Sequence, residues 1–240
     1  MDELGIVSVN VAQPSVLLRR PGGDVISGID KRPVRTKALG LTRLNLAGDG
    51  QADTRLTRDG GQVHGGPDQA VYAFPARHLG RLGQLAGQPA GPGFMGENLT
   101  VTGVSEHDVR IGDVWAWGPA RLQVTAPRGP CFKLGIRMGK QAARTAIRAE
   151  GMVGWYLRVL VPGEVPVSGP LTVVDRHPAG VTVAQVHAAL QRHDRVFPEL
   201  AALDVMSVNL RGQLQRRGRD LTGGVPEQDW VRRSSTFRIP

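Results

Sequence analysis

The sequence predicts a mainly β fold with α additions: a β barrel over residues 1–176 followed by a small helical domain and tail over 177–240. Three observations carry this. Through residue 176, short β-branched runs alternate with glycine and proline, which supply 32 and 17 of the 240 residues, the punctuation of many strands joined by tight turns. After Asp175 the apolar residues change to helical spacing. A chain of this length can also bury a real core without a staple, and its single cysteine excludes an internal disulfide.

Strands are expected at 5–11, 34–36, 41–44, 98–101, 113–117, 121–125, 155–161 and 170–175. One helix is expected to interrupt them at 70–85, where Val71, Phe74, His78, Leu82 and Leu85 recur at helical spacing, with Pro75 accommodated near its first turn. A second helix, 139–150, starts beyond a turn at Cys131 and ends at Gly151. In the last part, Thr182 is placed to cap a helix carrying Ala184, Val186, Ala189 and Leu190. Leu200, Leu203, Val208, Leu210 and Leu214 continue that pattern, giving two or three short helices, and the chain from about Thr222 is expected to be loosely held.

The net charge of +9 points to an anionic partner: nucleic acid, a phosphate ester or a pterin-type cofactor. The charge is not gathered into a tail or stripe; residues 177–240 carry a surplus of three and the rest a surplus of six. Aromatic residues are only 5%, too few to interleave with a basic nucleic-acid face, so nucleic acid is an unlikely partner. No run of about twenty apolar residues offers a membrane span, so no membrane partner is expected. The acidic start Met1-Asp2-Glu3 is unlike a secretory signal, and a cytoplasmic location is the expectation.

Cys131 lies in Ala126-Pro127-Arg128-Gly129-Pro130-Cys131-Phe132-Lys133. Pro127, Gly129 and Pro130 can hold the sulfur in one place on a turn, and Arg128 and Lys133 would favour its thiolate, the form that attacks electrophiles or binds a soft metal. An unremarkable buried thiol is the competing reading. Three further segments stand out. Gly48-Asp49-Gly50-Gln51-Ala52-Asp53 and Gly60-Gly61-Gln62-Val63-His64-Gly65-Gly66-Pro67-Asp68 are glycine-dense turns whose amides could cradle an anion, with His64 as a further donor. Gly93-Phe94-Met95-Gly96-Glu97-Asn98 sets Glu97 and Asn98 at the mouth of a strand, where each could face a ligand or bond its own backbone. Ile29-Asp30-Lys31-Arg32 offers a cation at the entry to an early strand. Paired glycosidase-type carboxylates, a phosphate-binding loop of Walker type, a zinc-type cluster and a serine nucleophile elbow are absent from the sequence.

In this order, Gly48 to Asp53 with Val63-His64-Gly65-Gly66-Pro67-Asp68, Gly96-Glu97-Asn98-Leu99, Ile111-Gly112-Asp113 and Pro127-Arg128-Gly129-Pro130-Cys131-Phe132-Lys133-Leu134 resemble the MOSC domain family. Val153-Gly154-Trp155-Tyr156, Val161-Pro162-Gly163 and the helical tail resemble its bacterial branch linked to hydroxylaminopurine resistance. The resemblance implies a MOSC-type β barrel with a small three-helix C-terminal domain, and the molybdenum cofactor (molybdopterin) as the bound group. It implies Cys131 as metal ligand and catalytic residue, with His64 as catalytic partner. Lys31, Asp49, Gln51, His64, Gly65, Gly66, Asn98, Arg128 and Lys133 would form the cofactor-binding surface. The family carries only a few residues between Asp53 and His64, whereas ten stand here. These either bulge outward and leave the pocket intact or displace His64.

The activity so implied is reduction of an N-hydroxylated base or related small molecule to the amine and water. With no iron–sulfur cysteine cluster and no dinucleotide fingerprint, electrons would come from an external reductase. A homodimer is among the assemblies it allows. A second class of function, a non-catalytic molybdenum-cofactor carrier or sulfur-delivery protein, would use the same residues. A third, a nucleic-acid-binding barrel, would not need Cys131.

Overall fold

The computed structural model describes residues 4–222. β1 (Gly5–Val11) is followed by a hairpin of β2 (Ser15–Leu18) and β3 (Val25–Ser27), by β4 (Arg32–Pro33), which pairs back on β1, and by β5 (Ala38–Leu41). A second hairpin, β6 (Asp53–Leu56) and β7 (Gln62–His64), precedes β8 (Val71–Pro75) and α1 (Leu79–Ala86). Next come β9 (Leu99–Thr102), β10 (Val114–Trp117) and β11 (Ala120–Pro127), then α2 (Phe132–Arg137) and α3 (Gln141–Ala149). The chain continues through β12 (Trp155–Val161), β13 (Gly163–Pro166), β14 (Gly169–Pro170) and β15 (Thr172–Asp175), and the helices α4 (Val183–Gln191), α5 (Pro198–Ala201) and α6 (Val208–Thr222) follow.

The main sheet runs β14-β1-β9-β8-β12-β11-β10-β15, antiparallel throughout except for the parallel pair β8 and β9. Its first and last strands are consecutive pieces of chain separated by Leu171 alone, so the sheet curls back to meet itself. This is the barrel that the turn punctuation predicts. Strict alternation fills it: Trp115 and Trp117 of β10, Leu122 and Val124 of β11, and Trp155, Leu157 and Val159 of β12 all point into one core. Trp115 and Trp155 meet edge to face, with centroids 5.7 Å apart. The core is continued by Val183, Val186 and Ala189 of α4, Leu200 of α5 and Leu210 and Leu214 of α6, so the helical segment after Asp175 is packed on the barrel side chains. Thr182 caps α4 as expected: its side chain accepts from the Gln185 amide at 3.2 Å, and the Gln185 side chain accepts from the Thr182 amide at 2.9 Å. A capping box of this kind is worth about 1 kcal/mol.

The helix expected at 70–85 is corrected. Its first part is β8, and only Leu79–Ala86 is α-helical. All five residues of β8 are buried, because Val71 and Ala73 face the barrel core while Tyr72 and Phe74 face a second core under α1, α2 and α3. A strand buried on both faces shows no polar alternation, so its apolar residues also match a helical period. Two early strands are also misplaced by the sequence: pairing occurs at Arg32–Pro33 and Ala38–Leu41, not at 34–36 and 41–44. The helix expected at 139–150 forms at Gln141–Ala149, and α2, directly after the cysteine turn, is not foreseen. Residues beyond Thr222, expected to be loosely held, lie outside the described residues.

Candidate active site

Cys131 sits where β11 has ended and α2 begins. The Arg128 amide donates to Gly154 O at 3.3 Å and the Leu134 amide to Cys131 O at 3.1 Å, which pins the Pro-Gly-Pro turn at both ends. The half-buried thiol opens on a cavity of about 130 Å³. One wall is the β3–β4 connection with Ser27, Gly28 and Lys31; another is the loop 44–52 with Asp49 and Gln51; a third is the base of the β6–β7 hairpin with His64 and Gly65. Tyr72 of β8 and Tyr156 of β12 complete it beside Arg128, Lys133 and Asn98. Eight of the nine residues expected to bind the cofactor therefore line one cavity together with Cys131; Gly66 is the exception and lies one residue behind the wall.

The ten residues between Asp53 and His64 neither bulge freely nor close the cavity. They form the β6–β7 hairpin, whose register pairs Asp53 with His64. The hairpin is held from outside by α6: Asn209 accepts from Thr57 Oγ1 at 2.6 Å and donates to Gln62 O at 2.7 Å, and Arg216 pairs with Asp59. At the hairpin base, Asp53 Oδ2 lies 3.5 Å from His64 Nδ1, and the carboxylate takes a two-pronged bond from Arg55, Nε to Oδ1 and Nη2 to Oδ2, 2.8 Å in each arm. Arg55 holds the Asp53 carboxyl well below the usual range, against the opposing effect of burial.

Burial alone would raise the Cys131 thiol. A hydrogen bond with His64, the Arg128 charge, the charge on His64 and the Leu134 amide together outweigh it, taking the pKa from 9.0 down to about 6. Of the two cations expected from the sequence to favour the thiolate, Arg128 and Lys133, Arg128 is among the groups that lower the thiol pKa. The sequence does not reveal Asp53 as partner to His64, nor Tyr72 and Tyr156 as members of the cavity wall. The guanidinium of Arg128 stacks 5.2 Å from the Tyr72 ring centroid, and burial raises the phenol pKa of both tyrosines.

Several residues expected to face a ligand are committed to protein. Lys31 Nζ pairs with Asp49 in a contact that is more than nine-tenths buried on both sides. Burial lowers the Lys31 pKa, and Asp49 offsets part of that loss. Asp49 also accepts from the Ala12 amide at 2.9 Å and from Asn98 Nδ2 at 2.9 Å. Asn98 Nδ2 also donates to Asn10 O at 3.2 Å, and Asn98 Oδ1 accepts from the Tyr72 amide at 3.1 Å, so its carboxamide ties β1, β8 and β9 together. The amides of Gly65 and Gly66 are taken by the side chains of Gln69 at 3.3 Å and Gln51 at 3.0 Å, not left as an open cradle. Glu97 turns inward to the amides of Gly93 and Met95 and to Thr100 Oγ1, with burial raising its pKa.

The MOSC domain model matches residues 60–172, a span that contains His64 and Cys131. The chain is 37% identical to Protein YiiM of Escherichia coli (strain K12) over 203 residues, 81% of this chain and 84% of that one. A protein called "Reductase" from Gibberella moniliformis is 32% identical over 65% of this chain and 27% of its own length. The crystal structure of YiiM from Geobacillus stearothermophilus superposes with a TM-score of 0.72 at 28% identity, covering 89% of this chain and 98% of that one. Sequence motifs, barrel and relatives agree, and the chain belongs to the MOSC domain family.

Proposed function

We propose that this protein is a molybdenum-cofactor-binding oxidoreductase that reduces N-hydroxylated bases or related small molecules to amines, drawing electrons from a separate reductase, and that it works in the cytoplasm. The observation that carries the reading is the Cys131 thiol, brought to a pKa of about 6 at the wall of a cationic cavity. The donor set fits such a group. Among the described residues no cluster of three or more histidine, cysteine or acidic side chains could hold a bare metal ion. Cys131 offers one soft ligand, so a metal here has to arrive with ligands of its own, as a pterin-bound metal does. Arg128 Nη1 is buried without a hydrogen-bond partner, a vacancy that suits an anionic acceptor.

When bound, the cofactor would supply the two-electron chemistry that breaks an N–O bond. The chain's own residues prepare for this. Cys131 is available as thiolate at neutral pH. His64, oriented by Asp53, can hold a proton beside it and release that proton to a departing hydroxyl. Arg128 and Lys133 favour negative charge in the cavity, and the buried Tyr72 and half-buried Tyr156 limit water on one side. The relative called a reductase supports the class of reaction. No helix of the described residues is long and apolar enough to cross a membrane.

The test is metal and pterin analysis of protein made in a cofactor-competent host, wild type beside Cys131→Ser, followed by turnover of hydroxylaminopurine with an artificial electron donor. Molybdenum present in the wild type, lost in Cys131→Ser, and accompanied by turnover supports the oxidoreductase. Bound cofactor without turnover, but with transfer to an acceptor enzyme, would turn the assignment to a carrier.

A further inference from the structure

Glu106, in the connection between β9 and β10, is a carboxylate outside the cavity lining with only 2% of the residue open to solvent. Its backbone is fixed by the Ala184 amide of α4, which donates to Glu106 O at 2.9 Å. Its side chain faces the two residues before β12. Oε1 accepts from the Val153 amide at 3.0 Å and from the Gly154 amide at 2.8 Å, while Oε2 lies 2.9 Å from Nε2 of His78 in the turn between β8 and α1. Burial works against the ionised form, and the bond from His78, its charge and the Gly154 amide outweigh that, so the carboxyl sits below its ordinary pKa. The trans peptide between Val153 and Gly154 carries the connection onward: its N–H points to Glu106, and its C=O accepts from the Tyr72 phenol at 2.9 Å. A carboxylate on the N–H side polarises a peptide and strengthens its carbonyl as an acceptor. The next carbonyl, Gly154 O, accepts from the Arg128 amide at 3.3 Å. Gly154 has a φ of +61°, and a Cβ there would collide with Ala73 O, so the chain passes β8 too closely for any side chain.

We propose that Glu106 is a positioning residue for the Cys131 site: through the 153–154 peptide it holds the Tyr72 phenol and the Arg128 backbone, and so sets the guanidinium over the Tyr72 ring. Both ends of Arg128 are reached from this one carboxylate, the main chain through Gly154 O and the guanidinium through the ring whose centroid lies 5.2 Å from it. Arg128 is among the groups that favour the Cys131 thiolate, so a displaced guanidinium makes the sulfur less reactive. A direct field from Glu106 has the opposite sign, because removing a nearby anion favours a thiolate. The inference rests on the reading of Cys131 as the reactive group of the cavity, and not on the cofactor.

The experiment uses the full chain, made in a host without the cofactor so that the sulfur is free, as wild type, Glu106→Gln, Glu106→Ala, Tyr72→Phe and Asp113→Asn. Asp113 is the control: a fully buried carboxylate outside the cavity lining that accepts from the Arg110 and His177 amides and pairs with Arg176. Two quantities are read. One is the rate of Cys131 alkylation by iodoacetamide at the wild-type midpoint, about pH 6. The other is the Arg128 Nε–H resonance, identified by its absence from Arg128→Lys and displaced in wild type by the Tyr72 ring current. Glu106→Ala is expected to slow alkylation about fivefold and to remove the ring-current displacement. Glu106→Gln, which keeps an oxygen for the two amides without the charge, should do the same to a smaller degree, as should Tyr72→Phe, which keeps the ring without its bond to Val153 O. Asp113→Asn should lower the melting transition and leave both quantities at wild type. If Glu106→Ala does not fold, Glu106→Gln and Tyr72→Phe still carry the comparison. Glu106 variants that only melt earlier, or that alkylate faster with the resonance unmoved, overturn the proposal, as does an equal slowing in Asp113→Asn. Wild type that alkylates no faster than free cysteine defeats the thiolate reading instead, and the Arg128 resonance then decides the positioning role by itself.

Discussion

Asp53 and His64 face each other across the β6–β7 hairpin, paired in register and with Oδ2 3.5 Å from Nδ1. The carboxylate thus orients the imidazole that shares the cavity with Cys131 and helps to lower its thiol pKa, and the ten residues between them fold so as to create the relationship. A hairpin thus brings together two residues that ten others separate in the sequence.

The first prediction concerns the thiol. Alkylation of Cys131 followed against pH, or the thiolate absorbance at 240 nm, should titrate near 6. His64→Ala should move the midpoint up towards 9.0, and Asp53→Asn should move it the same way by less, since it removes orientation and not the donor. The sign for stability follows. An acid whose pKa is depressed on folding stabilises the folded state most above its unfolded value, here 9.0, and that contribution is lost as pH falls through about 6. A titration near 9.0 in the wild type would show that His64 and Arg128 do not reach the sulfur.

Removing one half of the buried pair should cost far more than removing both. Lys31→Met leaves the buried Asp49 carboxyl without its counter-ion, and a loss of about 3–5 kcal/mol is expected in urea unfolding. The double variant Lys31→Met with Asp49→Leu should regain much of it, so the two changes should be strongly non-additive. Additive losses would mean that the two side chains act independently.

The clamp from α6 should be measurable apart from the chemistry. Asn209→Ala removes a bond to Thr57 and one to Gln62, with an expected cost of about 1–3 kcal/mol. Amide hydrogen exchange in residues 55–64 should accelerate while exchange in β10 and β11 does not. Uniform acceleration across the sheet would indicate a global effect and no local clamp.

Gly65 is a backbone requirement. Its φ is +97°, and a Cβ there would come 2.6 Å from Gln51 Cδ, so Gly65→Ala combines left-handed strain with a clash in the cavity wall. A drop in stability of about 1–3 kcal/mol is expected, together with weaker cofactor retention in protein from a competent host. Retention equal to wild type would detach this loop from the binding surface.

Cys131 and its neighbouring cations stood out because their signal is local: two prolines, a glycine, two charges and one thiol within a few positions. The barrel was legible for the same reason, since turns announce themselves residue by residue. β8 was not, because burial on both faces removes the alternation that marks a strand. The partner of His64 was hidden because it depends on a hairpin register, and the roles of Asn98 and Gln51 because an amide side chain does not declare where its hydrogen bonds go. Tyr72 was not singled out and Tyr156 only as part of a motif; the fold, with Arg128 over the Tyr72 ring, shows that both border the cavity.

The junction at Leu171 has a mechanical corollary. With β14 paired to β1 and β15 to β10, and a single buried residue between them, neither end strand can slide along its neighbour without dragging the other. The seam is a buckle without slack: it fixes the girth of the barrel, and with it the spacing of β8 from β11 across β12, the spacing that sets Tyr72 against Arg128.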